Sequence, residues 1–395
     1  MNNVRIFSSF RNNADVAAVI RWHAARWQLF VFPQGETVRG FPERRAEGVE
    51  MGDFPFSRLS GIPDPLILAL PIDAGTVHDV RILWQRSLPR EPVSLTEFRT
   101  VLAEARTRAR EAARRRGFSG GDAAAEIQTV RHVLLDGKRL LNPVGFSGRT
   151  LVVFATETFL FPPAADFLQT FSQKLPQRRI LTLLLDDAVR ECAFQDRSAP
   201  AGPGPARLPG QGPGPDRTIS QDALVVLDEE ATAVWAFTDG MAGERTSIAI
   251  GQTSIRRHFM RSFGFASESE DEAGRILLAF GERRLGTTLM RRIDTALLPA
   301  FRSWAEGVSR AISPSQRHRE AGEITVVAAV PLAPLFSRAF GTRTLRNAFP
   351  MFGPTRFQPI PLSELLELSP GIPGEELQAV ACARAARLMP GLASL

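Results

Sequence analysis

Few residues in this sequence combine the type and the spacing needed for chemistry. The histidines His23, His78, His132, His258 and His318 are dispersed, with no HExxH pair or other ligand spacing to hold a zinc ion. Cys192 and Cys382 lie far apart and outside any CxxC or Cys/His set, a usage that fits a reducing cytoplasm. Asp186 and Asp187 are adjacent acids of the kind that attracts a hard cation. No further ligand follows at useful spacing, so a strand-end turn or a helix start is expected there. The string GFSGG at 117–121 lacks the last interval of a nucleophile elbow and follows a helix end instead of a strand, so a loop is expected. The Gly-x-Gly pieces within 198–216 have neither the preceding strand nor the following helix that a phosphate loop requires. These residues predict no catalysis, no metal site and no cofactor.

Composition narrows the class further. Apolar residues make up 44% and charged residues 23% of the 395-residue chain, the balance of an ordinary globular protein with several packed subdomains. Of 48 basic residues only Lys138 and Lys174 are lysines, and 27 phenylalanines stand beside no tyrosine, which reads as coding bias. A net charge of +6 against 42 acidic residues is not a nucleic-acid footprint, because the cations are scattered or helical instead of clustered with aromatics. Met1–Asp15 is polar where a secretory signal needs an apolar run. No window reaches about 18 uninterrupted apolar residues, so a cytoplasmic chain that crosses no membrane is expected.

Any site must be carried by the elements that the hydrophobic pattern predicts. Strands are expected at 16–20, 27–32 and 65–70. Ser94, three residues before Glu97, has the capping-box spacing. A helix should run from there to about Arg116, with Leu95, Phe98, Val101, Leu102, Ala105 and Ala109 on one stripe and Gly117 as its stop. Its arginine-rich face, with Glu104–Arg108 and Glu111–Arg115 at four-residue spacing, reads as solvated surface. Strands follow at 127–135 and 149–156, a short helix opens at the prolines 162 and 163, and 179–185 is a buried strand. Residues 198–216 are too rich in proline and glycine to bury a core and are expected to be a flexible loop. The second half predicts strands at 223–227, 232–237 and 246–250, with a hairpin turn at Asp239 and Gly240. Helices at 254–262, 270–279 and 289–312 come next, with Pro299 a point for a kink, then a strand at 324–330 and a terminal helix at 377–388.

LLDGKRLLNPVGFSG, residues 134–148, resembles the LDG and NPxGxxG signature of the inserted 1C subdomain in the FtsA cell-division proteins, a branch of the actin-like superfamily. The matching positions are Leu135, Asp136, Gly137, Asn142, Pro143, Gly145 and Gly148. The stretch 223–281, with SIAIG, RSFGFASES and EAGRILLAFG, is similar to the second actin-like half of that family and of its relative, the pilus protein PilM. This resemblance implies an α/β, two-lobed actin-like (ribonuclease H-like) fold. It divides the chain into a first lobe at 1–90, an inserted SHS2-like 1C subdomain at 91–176, a return to the first lobe at 177–197, a Pro/Gly-rich loop at 198–218, a second lobe at 219–375 and a C-terminal helix at 376–395.

Members of that family hold ATP on glycine-rich hairpins, because backbone amides approach phosphate only where side chains are absent. Each corresponding place departs here. The first hairpin reads IRWHAAR, with Arg21, Trp22 and His23 in place of glycine and serine. The second reads LDEEATA, where Asp228, Glu229 and Glu230 would repel phosphate. Ala273, Gly274 and Leu277 stand where the family carries its ribose and base contacts, and Ala328 and Ala329 of AAVPL replace a glycine turn, with Pro331 removing an amide. The resemblance therefore implies a pseudo-ATPase scaffold without cofactor, with protein partners such as FtsZ-like or other division proteins, or copies of itself. The partner surface is expected at Asp136, Gly137, Asn142, Pro143, Gly145 and Gly148. Contact with the inner face of the cell membrane is left open. Two alternatives remain: a nucleotide-dependent assembly protein with a remodelled ATP site, and a PilM-like adaptor of a pilus or secretion system.

Overall fold

Short runs of branched aliphatic residues bounded by turn formers build the sheets. A computed structural model describes residues 18–23, 26–32, 42–49, 54–59, 62, 65–115, 125–140, 142–194, 221–238, 241–266, 269–312, 323–328, 335, 356–368 and 374–388. The expected polar start, the loops at 117–121 and 198–216, the turn at Asp239 and Gly240, and Ala329 with Pro331 lie outside the described residues. The chain divides into two units, Met1–Ala188 with Gln378–Leu395, and Val189–Leu377.

The first unit opens with β1 (Ala18–His23), β2 (Arg26–Val31), β3 (Glu43–Gly48) and β4 (Leu66–Leu70). It continues with β5 (Gly75–Gln85), α1 (Leu95–Arg115), β6 (Ala125–Leu135), β7 (Lys138–Leu140), β8 (Thr150–Leu160), α2 (Pro162–Lys174) and β9 (Ile180–Leu184). Its main sheet has the order β3-β2-β1-β4-β9, antiparallel across the first three strands and parallel across the rest. Val19, Ile20, Leu29, Phe30 and Leu66 are wholly buried, as strands covered on both faces require. Aromatic rings join α2 to this sheet: Phe171 meets Phe54 edge-on at 5.0 Å between centroids, and Phe54 meets Trp27 at 4.7 Å.

Between β4 and β9 lies a second, antiparallel sheet of order β5-β8-β6-β7, with α1 seated on one face through Phe98, Val101, Leu102 and Ala105. The sequence pattern showed the strands at 127–135 and 149–156 but not β5, so this layer takes in residues ahead of position 91. The helix cap forms as expected, Ser94 Oγ accepting the Glu97 amide at 3.0 Å. The Glu104–Arg108 pair forms at 2.8 Å, whereas Arg115 Nε donates to the Glu111 carbonyl at 3.4 Å instead of to its carboxylate.

α3 (Leu185–Phe194) starts directly on β9, so Asp186 and Asp187 occupy a helix's first turn, where acids are favoured by its dipole. The second unit then contains β10 (Gln221–Leu227), β11 (Thr232–Thr238), β12 (Met241–Ile248), α4 (Gln252–Phe263), α5 (Glu270–Gly281), α6 (Thr287–Ile312), β13 (Glu323–Ala328), β14 (Arg356–Pro361) and α7 (Leu362–Leu365). α8 (Gly374–Leu388) closes the described chain. The sheet order β12-β11-β10-β13-β14 repeats that of the first unit, with the same directions. One face carries most of the stripe expected for α6 from Leu289 to Val308: Ile293, Leu297, Phe301, Trp304 and Val308 pack with Ile255, Phe259, Leu277 and Phe280. Leu289, like Leu95 at the start of α1, instead lies 37% exposed in its helix's first turn, beyond the reach of the core. α6 continues as one helix through Pro299. Trp304 satisfies its indole by donating to Thr232 Oγ1 at 3.0 Å, and that hydroxyl donates to the Ile250 carbonyl at 2.6 Å.

Two five-stranded sheets of identical order and polarity, one carrying an inserted antiparallel layer, define the actin-like, ribonuclease H-like α/β fold.

Candidate functional site

In the first unit the sheet pairing of β1 and β2 runs to His23 opposite Arg26, with Trp22 opposite Trp27. Arg21 is buried and committed: its Nε donates to Gln378 Oε1 at 2.6 Å, and its Nη1 donates to Gln28 Oε1 at 2.9 Å. The Trp22 ring lies 5.5 Å from that of Phe167 on α2.

In the second unit Asp228, Glu229, Glu230 and Ala231 form the tight connection between β10 and β11, whose last pair is Leu227 with Thr232. The Asp228 amide donates to the Ala231 carbonyl at 2.9 Å. The first amides of α4 close on the same turn, Gln252 N–H on the Asp228 carbonyl at 2.9 Å and Thr253 N–H on the Glu229 carbonyl at 2.8 Å. These are the donors that a helix start would otherwise present to an anion. The approach requires Gly251, where a Cβ would stand 2.6 Å from the Ala231 nitrogen. Asp228 is buried, and Glu229 and Glu230 are half-buried. Ala328 pairs with Leu227 and Pro361 inside the sheet, and Ala273 and Leu277 are wholly buried in the core of this unit. Among the described residues no group of three or more His, Cys, Asp or Glu side chains comes together to hold a metal ion.

The insert gathers the third set. Asp136 and Gly137, both at positive φ, 48° and 80°, make the two-residue turn from β6 to β7 that Asp-Gly favours. The Asp136 carboxylate accepts the amides of Thr150 at 2.8 Å and Arg149 at 2.9 Å, which hold it below the usual carboxylate range. Asn142 Oδ1 accepts the Val144 amide at 3.0 Å, and the Gly145 amide donates to the Val93 carbonyl at 3.0 Å with φ of 91°. A Cβ on Gly148 would meet Leu135 Cγ at 2.6 Å. The motif residues thus fasten residues 142–149 onto the β6–β7 turn and the start of α1.

Arg86, absent from the motif, completes the assembly. Its buried guanidinium grips Glu97 with two bonds of 2.9 Å and donates to the carbonyls of Gly148 at 2.8 Å and Glu91 at 3.0 Å. That fork holds the Glu97 carboxyl below its ordinary value. What the assembly presents outward is Phe146, 54% exposed although large and apolar. The run NPVGFSG could have pointed to Phe146, as an aromatic among turn formers. Nothing in the sequence marks Arg86.

No family model matches the sequence, and no curated protein matches it. Among solved structures the chain is similar to a PilM–PilN type IV pilus biogenesis complex, at 13% identity over 94% of this chain and 98% of that one, with a TM-score of 0.49. It is also similar to the ethanolamine utilization protein EutJ from Carboxydothermus hydrogenoformans, at 10% identity, 93% and 88% coverage and a TM-score of 0.37. A third likeness is to the cytoplasmic domain of EpsL, an inner membrane component of the type II secretion system of Vibrio cholerae, at 9% identity, 80% and 82% coverage and a TM-score of 0.32.

Proposed function

We propose that this chain is a non-catalytic, FtsA-like actin-fold scaffold that acts by binding partner proteins in bacterial cell division or envelope assembly. The observation that carries the reading is the closed turn at 228–231. The α4 amides that could cradle a phosphate are spent on the Asp228 and Glu229 carbonyls, and the turn itself bears three consecutive acids. Support comes also from Arg21, locked to Gln378 and Gln28, and from Ala273 and Leu277, which serve the core. The partner surface is the insert loop, where Asp136, Gly137, Asn142, Pro143, Gly145 and Gly148 act as fasteners and Phe146 as the contacting group. Among the described residues no helix is long and apolar enough to cross a membrane. Cys192 and Cys382 are free thiols, which suits a reducing compartment, and a cytoplasmic location is part of this reading. The test is a calorimetric titration of the full chain with ATP and magnesium. No saturable heat is expected, and an affinity in the micromolar range would sink the scaffold reading in favour of a remodelled nucleotide site.

A further inference from the structure

Beneath the second half of α1 the insert's sheet carries a polar row in an otherwise apolar seam. The strand register sets Glu157 of β8 directly opposite His78 of β5 and Gln128 of β6, and directly opposite residues share a face. Glu157 is wholly buried. Gln128 Nε2 donates both to the Glu157 carboxyl and, at 2.9 Å, to the Leu102 carbonyl of α1, so one amide ties the carboxyl to the helix backbone. The other carboxyl oxygen, Oε2, has no hydrogen-bond partner. Neither has Nε of Arg106, one turn further along α1 and 4.0 Å away. The remaining charges at this place, Arg110 of α1 and Glu126 of β6, pair with each other at 3.0 Å.

The apolar grip around this row is uneven. The first half of α1 buries Phe98, Val101 and Leu102, with Ala105 at its midpoint, whereas the second half buries only Ala109 and Ala113, against Phe159 and Val80. An alanine removes far less apolar area from water than phenylalanine or leucine, so the polar ties carry a larger share of the docking there.

We propose that the protonation state of Glu157 sets whether the second half of α1 stays seated on the sheet, making this helix a pH-responsive latch. Protonated, the buried carboxyl is neutral and keeps its tie to Gln128. Ionised, it is a buried charge whose nearest cation stands beyond hydrogen-bond reach. Burial pushes the group up to about 8, outweighing the Gln128 hydrogen bond and the Arg106 charge, so the seated state holds a proton at neutral pH. When the helix lifts, the carboxyl is solvated and returns to its ordinary value of 4.5. The seated state therefore binds one proton more than the lifted state between those values. The equilibrium constant for lifting rises about tenfold per pH unit across that window and levels off above about pH 8.

Hydrogen–deuterium exchange of the full chain, corrected for the intrinsic rate, reads this directly in the amides of α1 after Ala103. In the wild type the lifting constant is expected to rise about fifteenfold from about pH 6.5 to about pH 8 and to plateau about thirtyfold above its value at about pH 6.5. Glu157→Gln should be flat with pH. Arg106→Gln should move the plateau to higher pH, because it removes the cation that favours the carboxylate. A flat wild type, a Glu157→Gln protein that keeps the wild-type slope, or an unmoved plateau in Arg106→Gln overturns the proposal. If Glu157→Gln does not fold, the Arg106→Gln arm decides alone.

Discussion

Arg86 and Phe146 divide the work of the insert loop between holding and presenting. Arg86 replaces water with two carbonyls and a bidentate carboxylate, so its removal leaves Glu97 and both carbonyls short of a partner in a largely dry place. Arg86→Ala is expected to lower stability by about 3 kcal/mol, toward the lower end for a broken buried pair because Glu97 keeps some solvent contact. Urea unfolding measures it, and a loss below about 1 kcal/mol would mean that the loop does not depend on this fork. Phe146→Glu tests the other half. The ring is more than half exposed, so the substitution should leave the unfolding midpoint where it was while abolishing capture of protein partners from a lysate. Retained capture would remove the loop from the partner surface. The motif residues were legible one by one as turn formers, but Arg86 was not, since 62 positions separate it from the Gly148 carbonyl.

At the scale of elements, the junction of α4 with the β10–β11 turn decides whether the second unit can receive an anion. Gly251 allows the helix start to touch the turn's backbone, and a Cβ there would collide with main chain that cannot rotate away. Gly251→Ala is expected to destabilise the protein by about 1–3 kcal/mol through overpacking, read from the thermal unfolding midpoint. A neutral result would show that the turn and helix are not in this contact. Elements with a strong pattern were visible in advance: α1 from its cap and stripe, α6 from Ile293 to Val308, β4 from an unbroken aliphatic run and β9 from one broken only by Thr182. β3, with the sequence ERRAEG, β5, interrupted by His78, Asp79 and Arg81, and β14, which contains two prolines, were not. Each is a sheet-edge strand, where charge and proline are tolerated, and in β5 the polar His78, Asp79 and Arg81 obscure the alternation of Val80, Ile82 and Trp84 that packs against α1.

For the whole molecule, the sheet order is repeated in two units, and the partner reading concerns the complete chain in its cell. A tagged full-length copy is expected to retrieve division proteins. Retrieval of pilus or secretion components in their place would favour an adaptor role, and self-association would appear as concentration-dependent mass in solution. The sequence by itself determined the binary pattern, hence which segments become buried strands and amphipathic helices, and it determined the absence of glycine at the two hairpins, because both are local properties of the chain. Only the tertiary structure decided that the α4 amides are occupied by the Asp228 and Glu229 carbonyls, that Arg86 fastens the motif loop, and that Glu157 lies buried beneath α1. Those outcomes depend on atoms far apart in sequence meeting at hydrogen-bond distance, and no local pattern encodes such a meeting.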